Sequence, residues 1–216
     1  MIRVVIADDH TILREGLKQL LSSAGDLEVV GEAGDGHEVL QQIRTTAFDV
    51  LLLDMSMPGR SGVELIKQVK SERPKLRVLV LSMHEESQYA VRAIRAGASG
   101  YLTKESASAL LVTAIRKVAG GGAFISPEVA EQLALSAMPH AEGPPDAALS
   151  DREYQVFRLL VEGHAVTQIA GELNLSVKTI STHKARLMEK LGIDNPADLV
   201  RYALKHGIGA DPNGPQ

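Results

Sequence analysis

Short apolar runs alternate with amphipathic stretches over the first half of the chain, and the alternation predicts a layered α/β domain. Arg3–Ala7, Glu28–Ala33, Val50–Asp54, Arg77–Ser82 and Gly100–Thr103 have strand length and are rich in Val, Leu and Ile. Thr11–Ala24, Gly36–Thr45, Gly62–Glu72 and Ser87–Ala96 read as helices between them, and Ala107–Val118 follows the last strand. Leu13, Leu17, Leu20 and Leu21 recur at spacings of three and four, which marks one buried helix face. Thr11 and Ser61 stand where N-caps belong, and Gly97 where a helix stops. Strands that are apolar almost throughout need cover on both faces. The expected class for residues 1–122 is therefore α/β, a doubly wound five-stranded parallel sheet.

The pattern then breaks. Gly120, Gly121 and Gly122 end the last helix, and Pro127–Ser136 is a candidate for one more short helix. Pro139, Gly143, Pro144 and Pro145 fall in a stretch without periodicity, so 123–148 reads as a linker containing that helix. From 149 to 207 the period is helical, which predicts a second, smaller all-α domain. Ser150 and Glu153 form a capping box ahead of Val156, Leu159, Leu160 and Val161, which are placed inward, and Gly163 stops that helix. Thr167–Leu173 is a short helix, Asn174-Leu175-Ser176 a tight turn, and Val177–Leu191 a longer helix. Pro196 opens a last helix reaching His206. Residues 208–216 read as a frayed tail.

Charge adds a constraint. The net charge is -4, and it resides in 123–149, where four acids meet no base. The flanking parts are each balanced, with 15 cations and 15 acids before it and 8 of each after it. Binding to nucleic acid must therefore come from a local cluster. The chain has no cysteine, which excludes disulfides and thiolate metal sites. No apolar stretch approaches the ~20 residues of a membrane span. Met1 leads straight into a strand, leaving no room for a signal peptide. The expected location is cytoplasmic, with no membrane partner.

The candidate chemistry lies at strand ends. Asp54 closes the run Val50–Leu53, Asp8 and Asp9 follow Val4–Ala7, and Lys104 follows Gly100–Thr103. In an open parallel sheet, ligands bind outside the carboxyl ends of the strands. Carboxylates brought together there repel unless a cation sits among them. Mg2+, or another divalent cation, takes oxygen ligands and keeps several waters. Asp9, Asp54 and a backbone carbonyl just after Asp54 would hold it, with Asp8 acting through water. Lys104 and the Ser82 hydroxyl suit a phosphoryl group, whose transfer needs mostly positioning and charge stabilisation. Asp54 is the candidate nucleophile, since carboxylates form acyl phosphates. Taken singly, Asp8-Asp9 reads rather as a solvated turn, Ser82 as a strand-end hydroxyl, Tyr101 as a core aromatic, and His10 and His84 as helix-start or loop residues instead of ligands.

The quoted pieces, in order and spacing, resemble the receiver domain of bacterial two-component response regulators. They are Asp8-Asp9-His10, Asp54 to Gly59, Leu81 to His84 and Gly100 to Lys104. The resemblance implies a flavodoxin-like sheet of order 2-1-3-4-5 with Asp54 as phosphoacceptor. It places Asp8, Asp9, Asp54 and the Ser56 carbonyl around the metal. Ser82 and Lys104 would contact the phosphoryl group, and Tyr101 would reorient with Ser82. Ser56 and His84 hold positions that in the family tune phosphoryl lifetime. One departure stands out: Glu105 follows Lys104 where many receivers have a cis proline, so the local backbone is expected to differ.

The second domain carries Lys178, Lys184, Arg186 and Lys190 on one helix, behind a short helix and a turn. In a helix-turn-helix that second helix enters the major groove. Ile180, Leu187 and Leu191 are spaced to face inward, leaving Lys178, Ser181, Thr182 and Ala185 toward the bases. From charge alone, a helical bundle with a solvated basic face fits as well. Leu149 to Glu153, Gln168-Ile169-Ala170, Leu173 to Ser176, Lys178-Thr179-Ile180 and Lys190-Leu191-Gly192 resemble the LuxR-type helix-turn-helix. Both halves together resemble the NarL/FixJ-type regulators. That implies double-stranded DNA as partner, with Lys178, Ser181, Thr182 and Ala185 near bases and Lys184 and Arg186 near phosphates. Thr179 belongs to the same face, and His183 suits either role. A neutral domain offers few phosphate contacts, so a homodimer is expected to be the binding form. Leu199 and Tyr202 of the last helix are candidates for its interface, Leu199 reading also as core.

The expected function is a transcription regulator switched when a sensor histidine kinase or small phosphodonor phosphorylates Asp54. It would catalyse only its own phosphorylation and dephosphorylation. Two rivals differ in class. A DNA-binding regulator with a phosphorylation-independent receiver, used for dimerisation, would ignore phosphodonor. A magnesium-dependent aspartyl-phosphate phosphatase would turn over phosphate esters, but such enzymes need a second acid two residues after the nucleophile, where Ser56 stands.

Overall fold

The computed structural model describes residues 1–57, 62–82, 87–135, 149–173, 175–206 and 208. The chain forms two compact units, Met1–Leu135 and Ser136–Gln216. The first holds strands β1 (Ile2–Ala7), β2 (Leu27–Ala33), β3 (Val50–Asp54), β4 (Arg77–Ser82) and β5 (Gly100–Thr103). Its helices are α1 (Thr11–Ser22), α2 (Gly36–Thr45), α3 (Gly62–Glu72), α4 (Ser87–Arg95), α5 (Lys104–Ala119) and α6 (Pro127–Leu135). The strands make one parallel sheet of order β2-β1-β3-β4-β5, as the resemblance implied.

Every residue of β3 is buried, because a central parallel strand is covered on both faces. Val4, Ile6, Leu52, Leu79, Leu81 and Leu102 form a core with Leu17 and Leu21 of α1 and Leu111, Ile115 and Val118 of α5. Alternate residues Val5, Leu51, Leu53, Val78 and Val80 are buried on the opposite side of the pleat. Residues 123–135 pack with this unit. Phe124 extends the β5 edge, its carbonyl accepting from Tyr101 N at 2.8 Å and its amide donating to Ser99 O at 3.1 Å. Gly100 permits that approach, since a Cβ there would lie 2.8 Å from both Phe124 O and Leu79 Cδ1.

Two helix starts differ from the sequence reading. Thr11 is the first helical residue of α1, and His10 occupies the N-cap without a side-chain bond. The Asp8 carboxylate turns the chain there instead, accepting from His10 N at 2.8 Å. Helix α5 begins at Lys104, three residues earlier than expected, because Thr103 caps it by accepting from Ser106 N. Glu105 therefore lies in a helical first turn, and no cis peptide occurs among the described residues. Ser61, expected to cap α3, lies outside the described residues.

The second unit comprises α7 (Asp151–Val161), α8 (Val166–Glu172), α9 (Val177–Leu191) and α10 (Pro196–Lys205). The capping box at Ser150 and Glu153 is present. Gly192 ends α9 at φ 65° with the paired bonds Gly192 N to Glu189 O and Ile193 N to Met188 O, a Schellman end. Tyr154, Val156, Phe157, Ile169, Ile180, Leu187 and Ala203 are fully buried. Phe157 stacks at 6.0 Å from Tyr154 and 6.1 Å from Tyr202. Leu159, Leu160 and Val161 are only half-buried. The inward face of α7 is instead set by the two aromatics and Val156, whose bulk fills the space between helices. Leu199 is 2% exposed and belongs to this core, so it is not an interface residue. Ile208, read as the start of a frayed tail, is buried and donates its amide to Ala203 O at 2.8 Å, the bond that closes α10. The segments 136–148 and 209–216 lie outside the described residues.

Glu153 also joins α7 to α9. Its Oε2 lies 2.6 Å from Lys190 Nζ and accepts from Ser150 N at 2.8 Å. Burial pushes this carboxyl up, but Lys190 and Ser150 together outweigh it and hold it below the usual carboxylate range. A carboxyl lowered on folding stabilises the fold above its unfolded value of about 4.3, and the contribution is lost as pH falls through the folded value. Wild type should therefore exceed Glu153→Gln in urea midpoint at neutral pH. The gap should close in acid below about pH 4.

Candidate functional site

The register of the sheet assembles the first site. Ala7 pairs with Leu53, Asp54 with Leu81 and Ser82 with Thr103, so four strands end at one level. The residues just past or at those ends are Asp8, Asp9, Asp54, Ser82 and Lys104. Asp8 and Asp54 are each 1% exposed, Ser82 is fully buried, and Asp9 is exposed. Lys104 Nζ stands 2.7 Å from Asp8 Oδ2 and 3.1 Å from Asp54 Oδ2. Both of these oxygens are buried and accept no aligned hydrogen bond, so the ammonium serves them as a charge. Asp54 Oδ1 faces Ser56 N at 3.3 Å. Arg14 Nη1 donates to Asp8 O at 2.6 Å and steadies the turn that carries both acids.

The electrostatics leave the pocket short of positive charge. Burial pushes the Asp54 carboxyl up, Asp8 adds to the rise, and Lys104 reverses only part of it. Burial lowers Lys104, but Asp8 and Asp54 outweigh that and hold the ammonium above its ordinary range. Ligand atoms of Asp8, Asp9, His10 and Asp54 lie within 4.8 Å of one another. Two buried carboxylates sharing one ammonium, with the exposed Asp9 carboxylate beside them, fit a hard divalent cation.

Of the residues singled out in the sequence, Asp8, Asp9, Asp54 and Lys104 meet here. Ser82 lies at the same edge, and Tyr101 is buried on β5 three positions before Lys104. Ser56 is exposed just after Asp54, while His84 lies outside the described residues. One neighbour of the site was missed, and one reading held: His10 starts helix α1 as its N-cap, and its ring also reaches Asp8 and Asp9. Arg14 was not singled out; its position one turn into α1 from Asp8-Asp9 was the available signal.

The second site is the outer face of α9. Ser176 caps the helix by accepting from Thr179 N at 3.0 Å, and its hydroxyl meets Thr179 Oγ1 at 2.7 Å. Lys178, Ser181, Thr182, Ala185 and Arg186 are exposed, and Thr179, His183 and Lys184 are half-buried. The Ser181 and Thr182 hydroxyls donate back to Val177 O and Lys178 O at 2.9 Å, which leaves their lone pairs outward. Among the described residues, Lys178, Lys184 and Arg186 form no ion pair, whereas Lys190 is tied to Glu153. Three cations, rather than four, therefore belong to this face. His183 sits near Arg152 and Glu153, and burial, with Arg152 adding, lowers its imidazole. Val177, 47% exposed at the helix start, is an apolar member of the face that charge and hydroxyl counting overlooked.

Residues 4–116 match the response regulator receiver domain, and 147–203 match the bacterial regulatory proteins of the luxR family. Response regulator UvrY of Escherichia coli (strain K12) is 37% identical over 209 residues, which span 96% of each chain. Response regulator GacA of Pseudomonas viridiflava is 39% identical over 96% of this chain and 98% of its own. Among solved structures, RcsB of Salmonella typhimurium is 32% identical with a TM-score of 0.73, covering 94% of this chain and 97% of that one. RcsB of Salmonella enterica serovar Typhimurium bound to promoter rprA in the presence of the phosphomimetic BeF3- is 32% identical with a TM-score of 0.68, covering 93% and 97%. No described helix is long and apolar enough to cross a membrane. The chain belongs to the DNA-binding two-component response regulators of the NarL/FixJ family, which join a receiver domain to a LuxR-type helix-turn-helix.

Proposed function

We propose that this regulator is switched by phosphorylation of Asp54 and that the phosphorylated form binds DNA as a homodimer through α9. The observation that carries the reading is the placement of Asp54 beside Asp8 and Lys104, a buried acid with a cation already poised on it. Asp9, Asp54 and the Ser56 carbonyl would hold Mg2+, with Asp8 reached through water. The ion would supply positive charge to phosphoryl oxygens.

The chain's own groups do the rest. An Asp54 carboxylate oxygen attacks phosphorus of the kinase phosphohistidine or of a small phosphodonor, and the bond from phosphorus to the donor breaks with its electron pair leaving on the donor. Lys104 Nζ stabilises the oxygens that gain charge. The Ser82 hydroxyl donates to an oxygen of the bound phosphoryl group, and Tyr101 moves with it. The protein turns over no other substrate in this reading, and it works in the cytoplasm, where kinase and DNA are both at hand.

On DNA, Lys178, Ser181, Thr182 and Ala185 approach bases, Lys184 and Arg186 approach phosphates, Thr179 belongs to the same DNA-binding face, and His183 serves either role. Binding of DNA by the phosphorylated form is supported by RcsB, which was captured on promoter rprA in the presence of a phosphomimetic. The test is treatment with magnesium and a phosphodonor, followed by DNA titration and mass measurement. A rise in DNA affinity with conversion to dimer is expected; no change in either would overturn the switch. Loss of one phosphate contact lowers the salt slope of binding by about one. In the homodimer Lys184→Ala removes one contact from each protomer and should lower the slope by about two, evenly across sequences, whereas Lys178→Ala should relax preference at one base position of each half-site.

A further inference from the structure

His10 is used by neither the phosphoryl chemistry nor the DNA face, yet its ring reaches the pocket. Its Nδ1 lies 3.1 Å from Asp8 Oδ1 and 3.0 Å from Asp9 Oδ1. The backbone fixes where the ring starts, since His10 N donates to Asp8 Oδ1 at 2.8 Å and the residue is the N-cap of α1. The side chain is 65% exposed, so it forms the solvent rim of the site rather than its floor.

These separations have a meaning in coordination chemistry. Neighbouring ligands of an octahedral ion with bonds of about 2.1 Å stand about 3 Å apart. Nδ1 and the Asp9 carboxylate oxygen, the direct ligand of the proposed arrangement, already lie at that spacing. Two buried carboxylates, Asp8 and Asp54, share the single ammonium of Lys104 at 2.7 and 3.1 Å, which leaves one of their charges unmatched and points independently to a further cation beside them. We propose that His10 Nδ1 is a direct ligand of the bound divalent ion, which makes the receiver site a mixed nitrogen–oxygen centre selective for Mn2+ and later first-row ions over Mg2+. The proposal rests on reading the pocket as a cation site.

The chemistry follows from the donor. Imidazole suits transition ions, whereas Mg2+ favours oxygen and gives up its waters reluctantly. With Mg2+ the imidazole has little to offer and a water keeps that corner. With Mn2+ the nitrogen replaces the water, and the ion is held by the rim as well as by the floor. The competing arrangement has Nδ1–H donating to both carboxylates, with the same distances between heavy atoms. The two differ in whether Nδ1 carries a proton or a metal.

Pulsed EPR of the full-length protein loaded with Mn2+ separates them, because a coordinated imidazole imprints 14N coupling on the electron-spin echo. Wild type, His10→Ala, His10→Gln and Asp9→Asn would be compared, with free Mn2+ read from its continuous-wave signal. The expected result is 14N coupling in wild type that both His10 variants lose. They should also lose Mn2+ affinity by about tenfold or more, the scale on which even outer-shell partners act, with a smaller loss for Mg2+ in competition. His10→Gln keeps a polar side chain at the rim, so loss of coupling in a well-folded His10→Gln excludes collapse of the turn as the cause. Mn2+ bound without 14N coupling, and equally well by the His10 variants, would overturn the proposal while leaving the cation site intact. Failure of wild type to bind Mn2+, or binding that Asp9→Asn leaves unchanged, would overturn the cation site itself and the proposal with it.

Discussion

Asp54→Asn is expected to abolish phosphoryl incorporation from a small phosphodonor and, with it, any phosphodonor-dependent rise in DNA affinity. The amide cannot form the acyl phosphate, and no other acid at the strand ends can take over. Asp8 is spent on Lys104 through Oδ2 and on the His10 amide through Oδ1, and Asp9 stands at the exposed rim. The same substitution is expected to raise the melting temperature of the first unit. Asp54 carries a charge that burial disfavours and Asp8 repels, so an isosteric neutral group relieves the folded state even as it ends the chemistry. Intact-protein mass spectrometry reads the first effect as absence of the mass gain of one phosphoryl group, and thermal melting reads the second. Phosphorylation persisting in Asp54→Asn would move the acceptor elsewhere and sink the assignment. An Asp54→Asn protein that melts lower would sink the account of the pocket's electrostatics.

Phe157→Ala should be the most damaging change in the second unit. The ring is fully buried between Tyr154 and Tyr202, and truncating such a residue costs about 3–5 kcal/mol. A helical domain of roughly 60 residues is marginal to begin with, so most of its stability would go. The first unit has a separate core and should keep its fold. The expected result is a protein that still takes a phosphoryl group on Asp54 but no longer binds DNA, with one of its thermal transitions lost or moved far down. Unchanged DNA binding would show that the α7 core does not position α9.

The sheet was legible because its signal is local. An apolar run of strand length followed by an acid or a lysine fixes both the strand and the chemistry at its end, so Asp8, Asp9, Asp54 and Lys104 could be placed before any contact was known. Register then needed nothing more, since parallel strands that end in functional residues align those ends. What escaped was decided by contacts between distant or differently oriented groups. The early start of α5 depends on the Thr103 hydroxyl capping Ser106 N, which competes with reading Thr103 as strand alone. The inward face of α7 turned on aromatic bulk, which a count of aliphatic positions under-weights. Lys190 looked like one more cation for DNA until Glu153, 37 residues away, claimed it. His10 looked incidental because an exposed histidine at a helix start has no signature of its own.

The isolated bridge that Phe124 makes to β5 bears on how copies of this protein can meet. An edge strand with free amides and carbonyls is a template for another chain and a route to irreversible aggregation. Here Ser99 O and Tyr101 N already spend their bonds on Phe124, and β5 itself is only four residues long. Two copies approaching from that side are thereby steered away from joining their sheets through backbone pairing.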